Sequence, residues 1–173
     1  MTKLSALRCW SKKGFVRVVV ETPQGSNNKY KFDEETEVFK LSHVLPSGSG
    51  FPFEFGFIPQ TRGEDGDPLD VVLLMEHPTF PGCLVDSRVI GVIEAKQTEN
   101  GKTFRNDRLI AVPKDSPRHD HIKDIVDLND RVLLEIEHFF ESYNKMRGRI
   151  FTPVARKGAK EALALLPEQP TSR

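Results

Sequence analysis

The chain has 173 residues, 38% of them hydrophobic, with 25 Lys and Arg against 25 Asp and Glu. Such a chain buries about 70% of its unfolded surface in a globule with a radius of gyration of roughly 16 Å, which excludes disordered and fibrous classes and calls for neither disulfides nor a structural metal. Zero net charge excludes the basic footprint of a dedicated nucleic-acid binder.

No stretch approaches the length of a membrane span, and the first residues lack a continuous apolar signal segment, so a cytoplasmic protein without membrane partners is expected. Cys9 and Cys83 stand in no metal-ligand spacing and read as free thiols. Residues 1–173 read as one domain, with 167–173 as a loose tail.

In chain order, Phe15 to Glu21 is a β-branched run closed by Pro23-Gln24-Gly25. Lys29 to Asp33 and Val38 to Leu41 read as short strands, and 46–50 as a Gly/Ser loop. Phe51 to Ile58 is extended and aromatic, and its phenylalanines read as core rather than as a platform for stacking bases. Asp70 to Met75 is nearly continuous apolar sequence, as expected of a strand buried on both faces. Leu84 to Ala95 and Thr103 to Val112 predict a long hairpin turning at Glu99-Asn100-Gly101. Short strands at this spacing predict a small closed barrel.

From Asp127 the period changes: Val132, Leu133, Ile136, Phe139, Phe140 and Tyr143 share one face of an amphipathic helix. Asp127 or Asn129 caps its start and Gly148 its end. A second helix is predicted from about Lys157 to Leu166.

The most informative segment is Glu64-Asp65-Gly66-Asp67-Pro68-Leu69-Asp70, four carboxylates in seven residues directly before an apolar strand. A solvated loop is the ordinary reading of an acidic run. Here Pro68 stiffens the backbone, Gly66 allows a tight turn, and Asp70 adjoins a rigid strand. Counted from Asp65, Leu69 and Asp70 fall where a calcium-binding EF-hand loop needs an acceptor and a glycine, so that motif fails. Oxygen ligands without His or Cys select Mg²⁺ or Mn²⁺ over zinc. Magnesium meets proteins through a few carboxylates plus substrate phosphates, so the cluster points to phosphate chemistry.

Phe55-Gly56-Phe57-Ile58-Pro59 followed by Asp65-Gly66-Asp67-Pro68-Leu69-Asp70-Val71 resembles the signature of the soluble family I inorganic pyrophosphatases. Val20-Glu21-Thr22-Pro23, Lys29-Tyr30, Leu109-Ile110-Ala111-Val112-Pro113 and the His138 to Tyr143 segment follow in that family's order. The resemblance implies an α+β, mainly β fold with a five-stranded OB-like barrel and flanking helices. It also implies Mg²⁺ dependence, hydrolysis of pyrophosphate to two orthophosphates, and a homohexamer, while the donor set leaves Mn²⁺ open beside Mg²⁺.

Among individual residues, the resemblance implies Asp65 and Asp70 as metal ligands, Glu99 and Asp107 as further ligands, and Asp67 as the base for the attacking water. Glu21, Lys29, Lys31, Arg108 and Tyr143 are assigned to the substrate. Glu21 also fits a strand-end charge, and Tyr143 a plain place on the helix's apolar face.

Several positions depart from the family pattern. Lys31 stands where Glu is common, Phe51 and Phe55 where Tyr is usual, and Asn144 where Lys follows Tyr143; His43 stands near an expected Arg. Strict spacing puts Asn106 at the second acid of the segment before Leu109, and Asp107 reaches it only after a shift of one residue. An active but divergent pyrophosphatase is the favoured reading. The alternatives are an impaired relative that binds phosphate or nucleotide ligands and an oligonucleotide-binding barrel.

Overall fold

The computed structural model describes residues 3–170. Strands β1 (Val16–Thr22), β2 (Asn28–Asp33), β3 (Val38–Val44), β4 (Glu54–Phe57), β5 (Asp70–Leu73), β6 (Leu84–Glu99), β7 (Lys102–Arg105) and β8 (Arg108–Pro113) precede helix α1 (Asp130–Lys145), strand β9 (Ile150–Gly158) and the short helix α2 (Ala159–Leu163). The hydrogen-bonded path β1-β4-β5-β8-β6 returns to β1 and closes a five-stranded ring, in which β5 and β8 run parallel and the other neighbours antiparallel. This is the OB-like barrel expected from the sequence. At 16 residues β6 outlasts the ring, and its second half pairs with β7 and β9.

The strand side chains alternate between two apolar clusters, as the pleat requires. Val71 and Leu73 join Val18, Val20, Leu109 and Ala111, whereas Val72 joins Phe55, Ile110 and the buried face of α1. The nearly continuous apolar sequence of β5 thus reflects burial on both sides. On α1, Leu133, Ile136, Phe140 and Tyr143 are buried, with Val132 and Phe139 packed partly against them. Each large apolar side chain so buried contributes roughly 1.5–3 kcal/mol. Asn129 caps this helix, its side-chain oxygen accepting from the Arg131 amide at 2.9 Å.

Glycine is required where β1 meets β4. A Cβ on Gly56 would lie 2.1 Å from the Val19 carbonyl oxygen, so no other residue lets these strands approach as they do. At the β6–β7 turn, Asn100 and Gly101 both take positive φ, 51° and 74°, as their hairpin signal predicts.

Several strand bounds differ from the sequence reading, β3 running on to Val44, β4 covering only Glu54–Phe57, β5 ending at Leu73 and β6 reaching Glu99, and two differences change the elements themselves. Residues 150–158 form β9, whereas a helix is predicted from Lys157; helix begins only at Ala159, and Lys157 and Gly158 end the strand. Pro153 and interspersed basic residues disguise β9, which tolerates the proline because it pairs on one side only, with β6. The predicted single strand from Thr103 to Val112 is broken at Asn106 and Asp107 into β7 and β8. The expected loose tail begins with a tether, the Trp10 indole N–H donating to the Pro167 carbonyl at 2.8 Å, while residues 171–173 lie outside the described residues.

Strands β2 and β3 form a separate two-stranded sheet. It is held to β1 through Thr22, whose hydroxyl accepts from the Tyr30 amide at 3.1 Å and donates to the Tyr30 carbonyl at 3.3 Å. The hairpin so anchored brings Lys29 and Lys31 over one side of the barrel.

Candidate active site

The turn between β4 and β5 is fixed from within. Gly63 donates to the Asp67 carbonyl at 2.8 Å, the Asp67 amide donates to Asp65 Oδ1 at 3.1 Å, and Gly66 takes φ 85°. Glu64 fastens the turn from outside, its Oε2 accepting from the Arg105 amide of β7 at 2.7 Å. Asp65, Asp67 and Asp70 therefore project from rigid backbone, and all three line a cleft of about 430 Å³. Its other walls come from distant segments: Glu21 of β1, Lys29 and Lys31 of β2, Glu99 of β6, Arg108 of β8 and Tyr143 of α1.

Nine of the ten residues marked out in the sequence thus share one cleft; Asp107 is the exception. Because neighbours on an extended strand face opposite ways, the backbone that aims Asn106 and Arg108 into the cleft turns Asp107 away. Its carboxylate accepts from the Ala95 amide at 3.1 Å and from Arg105 Nε at 2.6 Å, behind the acidic turn. In this conformation Asp107 fastens the strands, and the cleft position falls to Asn106.

Cations and acids meet in pairs across the cleft. Lys29 Nζ lies 2.9 Å from Glu21 Oε2, Lys31 Nζ 2.6 Å from Asp67 Oδ2, Arg108 Nη1 2.8 Å from Asp70 Oδ2, and Arg149 Nη2 2.6 Å from Glu99 Oε1. Glu21 is anchored as well by the Phe32 amide, which donates to its Oε1 at 2.8 Å. Arg108 is the most enclosed of the cations: its guanidinium lies 4.6 Å from the Phe140 ring centre and 5.1 Å from that of Phe151.

These surroundings shift several protonation equilibria. Desolvation pushes the Asp70 carboxyl up to about 6 against the opposing charge of Arg108. Burial pulls the Lys31 ammonium down, but the hydrogen bond and charge of Asp67, with Glu21 and Asp70, outweigh it and hold Lys31 above the usual range. His43, whose ring centre lies 5.4 Å from that of Tyr143, falls to about 4 through burial first and the charges of Arg147, Lys29 and Arg149 second. Burial raises the Tyr143 phenol, so Tyr143 remains a neutral hydroxyl.

Three Asp carboxylates without His or Cys make a donor set for a hard divalent cation. Among the described residues no three ligating side chains close around a common point. An ion at this turn would complete its shell with water and substrate oxygens, as magnesium ordinarily does.

Arg147 and Arg149 are the functional candidates missed in the sequence. Both line the cleft beyond the C-terminal end of α1. The available signal is spacing: four residues after Tyr143 brings Arg147 back over the same helix face, with Nη1 3.3 Å from the Tyr143 hydroxyl. Asn144, also in the cleft, spends its amide inside the helix by donating to the Phe140 carbonyl at 2.8 Å.

The fold and the site define an OB-like barrel protein with an acidic turn opposed by cations across an open cleft, a setting for an anionic ligand carried with a metal. A family profile described as inorganic pyrophosphatase matches residues 18–170. The chain is 38% identical to the inorganic pyrophosphatase of Synechocystis over 95% of each chain, and 40% identical to that of Geobacillus stearothermophilus over 88% of this chain and 90% of the other. Its structure superposes on that of the Thermus thermophilus inorganic pyrophosphatase with a TM-score of 0.87 at 36% identity, covering 95% of both. The chain belongs to the inorganic pyrophosphatase family, a family of metalloenzymes. Among the described residues no helix is long and apolar enough to cross a membrane.

Proposed function

We propose that this protein hydrolyses inorganic pyrophosphate to two orthophosphates with Mg²⁺, or Mn²⁺ in its place. The observation that carries this reading is the opposition of Asp65, Asp67 and Asp70 to Lys29, Lys31 and Arg108 across one cleft. Divalent ions held by Asp65 and Asp70 would supply Lewis-acid charge that neutralises phosphate oxygens and makes water nucleophilic near neutral pH. Asp67, with its side chain half exposed to the cleft, takes the proton of the attacking water. Lys29, Arg108 and the neutral hydroxyl of Tyr143 hold phosphate oxygens, and Glu21 aims Lys29 through their ion pair. Arg108 is suited to its part because it lines the cleft beside Asp70 and is held in place by the carbonyls of Asn106 and Asp107.

Release of phosphate from pyrophosphate, followed with and without Mg²⁺, tests the reading. Hydrolysis that requires the metal is the expected result, and none with either Mg²⁺ or Mn²⁺ overturns it. One observation favours a second reading, a binder of phosphate ligands without turnover: Lys31 already engages one of the two carboxylate oxygens of Asp67.

The same contact gives a prediction. Lys31→Glu exchanges a fixed cation beside Asp67 for a carboxylate, so it is expected to raise the number of divalent ions bound by about one and to shift activity to higher Mg²⁺ concentration. Calorimetric titration that returns the wild-type stoichiometry would count against Lys31 as a stand-in for a metal.

We further infer a cytoplasmic homohexamer. Free thiols at Cys9 and Cys83, and exposed apolar side chains such as Phe80, Val126 and Ile150, support that inference. Sedimentation as a monomer at micromolar concentration would exclude the assembly.

A further inference from the structure

The cleft is lined by five carboxylates and five cations, and the four ion pairs already described engage four of each. Asp65 and Arg147 remain. Asp65 is used by its own turn through the Asp67 amide, whereas Arg147 forms no ion pair with any acid among the described residues. An arginine just past a helix end usually extends into water, where it complements the helix dipole. Arg147 instead folds back along α1. Its Nη1 donates to the Tyr143 hydroxyl at 3.3 Å, and its guanidinium carbon lies 5.8 Å from the Tyr143 ring centre.

That posture presents an exposed guanidinium to the cleft with donors unused by the protein. Neighbouring groups leave the task to it. The Asn144 amide is turned to the Phe140 carbonyl. His43 lies against Tyr143 and is held neutral, with its buried Nε2 unpartnered among the described residues. A planar guanidinium matches phosphate oxygens two at a time.

We propose that Arg147 is a further substrate-binding residue, whose guanidinium takes phosphoryl oxygens of the ligand on the Tyr143 side of the cleft. The proposal rests on the pyrophosphatase reading for its ligand. It extends that reading by completing a cationic wall of Lys29, Arg108 and Arg147 on three separate elements.

Calorimetry with methylenediphosphonate, a pyrophosphate analogue that cannot be hydrolysed, in Mg²⁺ and at several salt concentrations, tests it on the full-length chain. Arg147→Gln is expected to weaken binding roughly tenfold, the scale of one charge-assisted contact on a solvent-facing side chain, and to flatten its salt dependence. Arg147→Lys should recover part of both. Because Arg147 is exposed, the thermal unfolding of either variant should match that of wild type.

Equal affinity in wild type and Arg147→Gln overturns the proposal, as does weakening with unchanged salt dependence, which would mark a structural effect. An analogue that binds neither protein overturns it too. Whether the pyrophosphatase reading falls with it is decided separately, by phosphate release from wild type.

Discussion

Asp67→Asn is expected to lower phosphate release from pyrophosphate by about 10²- to 10⁴-fold, the usual contribution of a positioned general base. The substitution suits the question because an amide keeps an acceptor oxygen but cannot take a proton. The turn should survive, since the bond from the Asp67 backbone amide to Asp65 and that from Gly63 to the Asp67 carbonyl hold it without the Asp67 side chain. Lys31 can still donate to the remaining oxygen, so the β2 hairpin should stay docked. Titration with Mg²⁺ should then give near wild-type affinity beside a collapse of kcat. Retention of more than about a tenth of wild-type turnover would remove Asp67 from the role of base.

Much of this arrangement is legible in the sequence because it is local. Strand β5 is marked by its apolar run, α1 by the spacing from Val132 to Tyr143, and the β6–β7 turn by Asn100-Gly101. The aspartate turn is legible for the same reason: like charges crowded around Gly66 and Pro68 ask for a rigid frame and a neutralising partner. What escaped depends on register or on distant contacts. Whether Asn106 or Asp107 faces the cleft is a question of strand parity at a break between β7 and β8, and spacing counted along the chain cannot supply it. Strand β9 escaped because its identity lies in pairing with the far half of β6 rather than in its own alternation. Arg147 escaped because a basic residue beyond a helix end looks solvated until Tyr143 turns it inward.

The fold also explains why the departures gather at the substrate. Phe51 and Phe55 lack the hydroxyls of tyrosine, yet both are buried beneath the cleft: the ring centre of Phe51 lies 4.9 Å from that of Phe139, and Lys29 Nζ lies 4.8 Å from the ring centre of Phe55. They therefore act as an apolar floor that keeps the cations poorly hydrated, which strengthens attraction to an anion. Both rings belong to the buried apolar cluster that includes Phe140 and Phe151, so the packing there needs no hydroxyl.

Arg108→Met is expected to damage both stability and activity, because Arg108 braces the fold and also lines the cleft where the ligand is proposed to bind. Its Nη1 donates to the carbonyls of Asn106 at 3.2 Å and Asp107 at 3.0 Å and to Asn106 Oδ1 at 2.5 Å, besides pairing with Asp70. Removing one member of a buried ion pair typically costs about 3–5 kcal/mol. Asp70 retains 23% side-chain exposure, so the lower end, about 3 kcal/mol, is the better expectation. Methionine fills similar space among Phe140 and Phe151, which confines the loss to charge and hydrogen bonds rather than a cavity. Arg108→Lys should recover part of the stability but little of the activity, since an ammonium restores the charge without the planar fork.

Added Mg²⁺ offers a second readout. With the guanidinium gone, Asp70 loses the partner that opposes its desolvation and binds a proton more readily; a divalent ion can take the partner's place, so it should raise the thermal midpoint of Arg108→Met more than that of wild type. Chemical denaturation showing a loss below about 1 kcal/mol, or an equal Mg²⁺ effect on both proteins, would mean that Asp70 finds its neutralising charge elsewhere and that Arg108 is not the hub of this site.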